Sequence, residues 1–350
     1  MILDSFSDRF GLARKIASVK PRVAQAISDE FFAKHPEWID RYGERGRQLC
    51  TADACFHMEF LAGAIESGSP ESFADYARWT ARMLGARGIA SHTLVENLAQ
   101  LEKHLSEALL PEEQGSVSAF LALGRGSCAD PGSAISQPAS SELDLTRHVF
   151  LTAVLGGQRQ NALNIVEEAL HAGHTQVEIY LNVFAKSLHR VGELWEMNKI
   201  SVAQEHMATS ITQFVIAAIY PRMVSTGSRR GTMVVTGVAG ELHQVGSNLV
   251  ADTMEANGWA VRFLGTNLPS ASVLAAVEES SADVLGISTT IVANLPAAAE
   301  LVRAVRSKLN GRAPRIILGG GAYRFAPQFA REVGATEIFD LREALAVFCG

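Results

Sequence analysis

A chain of 350 residues, 47% hydrophobic, has enough apolar matter for two or three ordinary cores. Its formal net charge of −6 is spread without runs of one sign, which argues against a surface made to hold nucleic acid or anionic lipid, and no apolar stretch approaches the roughly 20 residues that span a bilayer. Cys50, Cys55, Cys128 and Cys349 form neither a CxxC pair nor a zinc spacing, and no basic leader with an apolar core opens the chain, so a reducing cytoplasm is the expected setting.

Residues 1–125 read as a helical domain. Phe73, Tyr76, Trp79 and Met83 recur at the helical period, as do Leu94, Leu98, Leu101, Leu105 and Leu109. Ser69-Pro70-Glu71 marks a helix start, because proline loses nothing in a first turn whose N–H groups are unpaired anyway. Residues 126–141, GSCADPGSAISQPASS, show no apolar period and read as a linker. Helical periodicity returns over 142–228, broken at Gly156-Gly157, at Gly173–Thr175 and near Asn198, which predicts a four-helix bundle. From 229 to 350 short apolar runs alternate with helical stretches: Met233–Thr236, Val261–Leu264, Val284–Ser288, Ile316–Leu318 and Ile338-Phe339. Continuous apolar runs suit strands buried on both faces, so this part is expected to be a flavodoxin-like, doubly wound parallel sheet.

Ligands of open α/β sheets sit beyond the carboxyl ends of the strands. There the sequence offers Glu241-Leu242-His243-Gln244-Val245-Gly246, then Gly265–Pro269, Ser288-Thr289-Thr290 and Gly319-Gly320-Gly321. Small or hydroxylated residues around a single histidine suit a long ligand tail threaded between strands.

Glu241-x-His243-x-x-Gly246 resembles the Asp-x-His-x-x-Gly signature of base-off, His-on cobalamin-binding domains, and Ser288-Thr289-Thr290 and Gly319-Gly320 fit that family's Ser and Gly-Gly elements at its usual intervals. The resemblance covers Ser141 to the end. It implies that His243 replaces the cofactor's own base under cobalt and that Glu241, standing where the family has Asp, orients the other imidazole nitrogen. It implies too that the nucleotide tail enters the sheet, with Gly246, Ser288, Thr290, Gly319 and Gly320 around the cofactor.

Trp195, followed after nine residues by Glu205-His206, is similar to the Trp-x9-Glu-His pattern of light sensors of the CarH and LitR class. That resemblance implies adenosylcobalamin with Trp195 packed on the adenosyl group, Glu205 and His206 lining the same pocket, and photolysis changing conformation and oligomeric state. The expected protein is then a light-dependent homo-oligomer, a dimer, that signals to an unknown partner and is not an enzyme. Glu196 stands where such sensors place a cobalt-capturing histidine, leaving His206 or water for the lit state. A corrinoid methyl carrier of a methyltransferase system, which also has a four-helix cap, is the alternative, and a degenerate interaction module is a third.

The N-terminal stretch Asp29 to Trp38, with Phe56-His57 and Phe73-x-x-Tyr76-x-x-Trp79, resembles the globin-like domain of photocobilins, which implies biliverdin as a second chromophore. Tyr42, Arg45, Cys55, His57 and Arg78, with Arg41, Arg47 and Arg82, are of the types a linear tetrapyrrole and its propionates need. A haem held by His57 or His92 is the competing reading.

Overall fold

Five helices open the computed structural model, which describes residues 3, 5–129, 142–222 and 230–349: α1 (Phe6–Lys34), α2 (Glu37–Glu66), α3 (Pro70–Gly85), α4 (Ser91–Ser106) and α5 (Pro111–Ser127). Ser5 caps α1 by accepting from the Asp8 N–H, and Ser69 caps α3 with Pro70 in its first turn, as the sequence predicts. Leu94, Leu98, Leu101, Leu105 and Leu109 all enter one core with Phe73, Phe120 and Met58. Gly43 leaves the helical region at φ 60° and kinks α2. The expected linker is helical at Gly126 and Ser127, and its part from 130 to 141 lies outside the described residues.

A four-helix cap follows. It consists of α6 (Glu142–Leu155), α7 (Arg159–His171), a long helix and α10 (Val202–Ile219); the long helix runs from α8 (Gln176–Ile179) through a π-helical turn, Tyr180–Ala185, into α9 (Lys186–Glu196). Gly157, Gly173 and Asn198 all have positive φ, which is why the helices stop at those three places. Thr175 and Ser201 cap the next helices, each in a reciprocal pair with Glu178 or Gln204.

Five parallel strands complete the chain: β1 (Gly231–Gly237), β2 (Trp259–Phe263), β3 (Val284–Ser288), β4 (Arg315–Gly319) and β5 (Glu337–Ile338), in the order β2-β1-β3-β4-β5. The helices α11 (Val245–Ala256) and α15 (Leu341–Cys349) cover one face, against Met233, Val235 and Ile317. Three others, α12 (Ser270–Ser280), α13 (Leu295–Leu309) and α14 (Phe329–Val333), cover the opposite face, against Val234, Leu285, Ile287 and Ile316. The chain reverses direction between β1 and β3, so the crevice lies beyond Gly237 and Ser288.

The cap packs on α11 through Val245, Leu249 and Ala256, with Tyr180 Oη donating to Asp252 Oδ2 at 3.2 Å and Tyr220 Oη to Glu255 Oε2 at 2.6 Å. The N-terminal domain packs on the other side of the sheet. Arg9 pairs with Glu332 at 2.7 Å, Arg303 lies 4.0 Å over the Phe10 ring, and Gln328 Nε2 donates to Ser67 O at 3.3 Å. A Cβ added to Gly63 would stand 2.0 Å from the Val292 carbonyl oxygen, so α2 touches the turn after β3 backbone to backbone. Among the described residues no helix is long and apolar enough to cross a membrane.

Candidate cofactor site

Between β1 and α11 the chain turns through Gly240, at φ 81°, whose N–H donates to Asn267 Oδ1 at 2.9 Å. This turn drives Glu241 wholly into the protein and leaves His243 outside, its side chain 58% exposed. Glu241 Oε1 accepts from His243 Nδ1 at 2.5 Å and from the His243 N–H at 3.0 Å. Its Oε2 accepts from the Thr290 N–H at 2.7 Å and from Asn294 Nδ2 at 3.1 Å. Burial pushes the Glu241 carboxyl up, but these four hydrogen bonds outweigh it and bring the pKa to about 2. A carboxylate at that distance makes Nδ1 the donor, so Nε2 carries the lone pair. The longer glutamate therefore does what the aspartate of the resembled signature is implied to do, reaching both the imidazole and the β3 turn.

Nε2 has no hydrogen-bond partner among the described residues. Beside it Leu242 is 74% exposed, and nothing lies within 4 Å of where a Cβ of Gly246 would be. No group of three or more metal-ligating side chains gathers among the described residues. One free imidazole next to exposed apolar surface fits a metal that brings the rest of its ligands in an organic ring.

The other strand ends supply the crevice. Ser288 closes β3, half-buried; Thr289 is buried, its Oγ1 hydrogen-bonded to Tyr323 Oη at 2.9 Å. Gly320 has φ 112° and a Cβ there would meet the Thr289 oxygen at 2.3 Å, while one on Gly319 would meet the Phe339 oxygen at 2.9 Å. Gly320 thus lets the β4 turn lie directly on the β3 turn whose Thr290 holds Glu241, and Gly319 admits the backbone that follows β5.

On the cap, Glu205 and His206 occupy the first turn of α10. Glu205 takes hydrogen bonds from Thr209 at 3.2 Å and from His206 Nδ1 at 2.5 Å, and its charge adds to the Glu241 hydrogen bond in raising the His243 pKa. Farther along α10, Gln213 lines one crevice with Gln244 and Val245, next to His243. Trp195 lies at the end of α9, stacked on Trp79 of the N-terminal domain with centroids 6.4 Å apart and beneath the Arg87 guanidinium at 4.9 Å. Glu196, in the position the sensor resemblance would give to histidine, is buried against Arg82 at 2.5 Å. Asn294 and Arg87 escaped the sequence reading, and Trp79 entered it only through the helical repeat and the bilin resemblance, because the fold alone brings Asn294 to Glu241 and Trp79 and Arg87 to Trp195.

The N-terminal candidates divide between two faces of α2. His57 is buried, Nδ1 2.7 Å from Tyr76 Oη, and burial lowers its pKa to about 4. Cys55 packs toward α1, where burial raises its thiol pKa against the opposing charge of Lys20. Tyr42 stacks near Trp38, under the Arg41 guanidinium, and Arg45 is exposed. Arg47 pairs with Asp29 and Arg78 with Asp75, while Arg82 belongs to Glu196. His92 lies exposed at the start of α4.

Residues 231–346 match a family model described as B12 binding domain, and residues 146–220 match a second model of the same description. A corrinoid protein of Desulfitobacterium hafniense is 22% identical over 52% of this chain and 86% of its own. Methionine synthase of Mycobacterium tuberculosis is 25% identical over 48% of this chain and 14% of its own. The solved structure of the Methanosarcina barkeri monomethylamine corrinoid protein shares the fold at a TM-score of 0.52, with 19% identity over 58% of this chain and 96% of that one. These relatives overturn the expectation of a non-enzymatic light sensor: they are corrinoid proteins and methionine synthases. The two matched stretches coincide with the cap and with the sheet domain that carries His243, and the chain is a cobalamin-binding protein.

Proposed function

We propose that the protein is a corrinoid methyl carrier serving a methyltransferase system, with His243 as the lower ligand of its cobalt. The observation that carries the reading is the unpartnered Nε2 of His243, backed by a buried Glu241 that is itself held by Thr290 and Asn294. When bound, the corrin would supply a cobalt centre able to accept and release a methyl group. Glu241 holds the Nδ1 proton and aims Nε2 away from the protein. Gly246, Ser288, Thr290, Gly319 and Gly320 form the edge along which a nucleotide tail would run, and Trp195, Glu205 and His206 stand on the cap side. The relatives called dimethylamine corrinoid proteins, such as one from Methanosarcina acetivorans that is 22% identical over 54% of this chain and 87% of its own, point to a methylated amine as the class of methyl donor.

The test is to load the protein with methylcobalamin and, separately, with adenosylcobalamin, and to compare spectra with those of His243→Ala. The reading expects a His-ligated spectrum that the substitution abolishes, and loss of the methyl group to a partner methyltransferase. An unchanged spectrum in the variant, or retention of the adenosyl form alone, refutes it.

We also propose that the N-terminal domain binds biliverdin, at a site drawn from Tyr42, Arg45, Cys55, His57 and Arg78. His57, buried with Tyr76 as its partner, is the polar group that would lie beneath the pyrrole nitrogens, and the exposed Arg45 is free to meet a propionate. Mixing with biliverdin should give a broad red band that His57→Ala weakens, and no band refutes the reading.

A further inference from the structure

The end of α9 is finished by another domain. The last carbonyls of a helix have no partner within it and are met by caps, water or ligands. Here Arg87, beyond the end of α3, donates from Nη2 to Trp195 O at 3.2 Å and from Nη1 to Glu196 O at 3.1 Å, while its guanidinium covers the Trp195 ring. Arg82 Nε donates to Glu196 Oε1 at 2.5 Å, with only 11% of the Glu196 side chain exposed. Trp79 stacks on Trp195, and Asn198 Nδ2 reaches Ala86 O at 3.5 Å. All these groups of the N-terminal domain close on one short segment, from Trp195 to Asn198, which leads directly into α10, the helix whose Gln213 lines one crevice with Gln244, the neighbour of His243.

The opposite end of the cap is fixed differently, by Tyr180 and Tyr220 on α11. The cap is thus anchored to the sheet domain at one end and to the N-terminal domain at the other. We propose that Trp79, Arg82 and Arg87 form a latch that holds the tip of the cap closed over the His243 site, so that the N-terminal domain governs access to it. This rests on the carrier reading for what is being covered, while the latch itself exists without any cofactor. Glu196 is buried while Arg82 keeps an exposed edge, and the arginine hydrogen bonds to the helix-end carbonyls give the contact direction.

The test uses the full chain with two readouts. Amide exchange in residues 186–206 of the cofactor-free protein reports the latch, and the rate at which cyanide replaces the water of bound aquacobalamin reports access. Arg82→Glu should raise both by tenfold or more, with exchange in α11 unchanged. The swap Arg82→Glu with Glu196→Arg should restore both, which separates a latch from a misfolded variant; Arg87→Lys, which keeps charge but loses the double cap, should fall between. Unchanged exchange in Arg82→Glu overturns the latch, and so does a swap that fails to restore it. A protein that binds no cobalamin yet shows the exchange pattern would sink the carrier reading alone.

Discussion

Glu66 gives the sharpest quantitative prediction. It closes α2 at the seam between the N-terminal domain and the sheet domain, fully buried, and neither carboxyl oxygen has a hydrogen-bond partner among the described residues. Burial pushes its pKa from 4.5 to about 7, opposed in part by the charges of Arg303, Arg9 and Arg14. Below pH 4.5 the group is protonated folded or unfolded and stability does not depend on it. Between 4.5 and 7 the unfolded chain sheds the proton while the folded one keeps it, so stability falls as pH rises; above about 7 both are ionised and the penalty is constant. At about 1.4 kcal/mol per unit the full penalty is on the order of 3 kcal/mol. Glu66→Gln removes the ionisation but leaves an amide to satisfy, so a gain of about 2 kcal/mol is expected at pH 8 and almost none at pH 4.5. Urea unfolding of the cofactor-free protein at both pH values measures it. A midpoint shift equal at the two pH values, or none at pH 8, would refute the reasoning.

Other perturbations test the contacts around the site. Gly320→Ala forces a side chain at φ 112° against the Thr289 oxygen and should cost about 2 kcal/mol or more in denaturant unfolding while weakening cobalamin binding, since the same turn presents Thr290 to Glu241. Tyr76→Phe strips the buried His57 of its partner and should cost about 1–3 kcal/mol in the same assay, with no dependence on pH near neutrality because His57 is already uncharged there. Gly63→Ala pushes α2 off the Val292 carbonyl, and amide exchange in residues 290–296 should quicken with helix content unchanged; unaltered exchange would mean that the contact is slack.

The sheet domain was legible because strands covered on both faces must be apolar throughout, and the runs from Met233, Val284 and Ile316 leave no other use for themselves. The cap was legible through its stops, since Gly157, Gly173 and Asn198 sit at positive φ where few residues are comfortable. His243 and Glu241 could be paired because only Leu242 separates them, within one local turn. Asn294 could not: it lies 53 residues from Glu241, and only the β1–β3 pairing brings the two together. The Trp195 to His206 spacing misled because it measures the α9–α10 turn, while the surroundings of Trp195 come from Trp79 and Arg87, more than a hundred residues earlier. The arginines assigned to a bilin illustrate a related ambiguity, since arginine serves a propionate or a carboxylate side chain equally well, and Asp29, Asp75 and Glu196 claim three of them.

The π-helical turn at Tyr180–Ala185 acts as a phase setter for the whole cap. Tyr180 at its start must face Asp252 on α11, and Trp195 at the far end of the same continuous helix must face Trp79. Each residue advances an α-helix by about 100°, so an α-helical path of the same length would bring Trp195 round to a different side of the cap. The wide turn absorbs the excess rotation inside the bundle, where Tyr180, Val183 and Phe184 are buried, and lets one rod serve two docking partners set at unrelated angles.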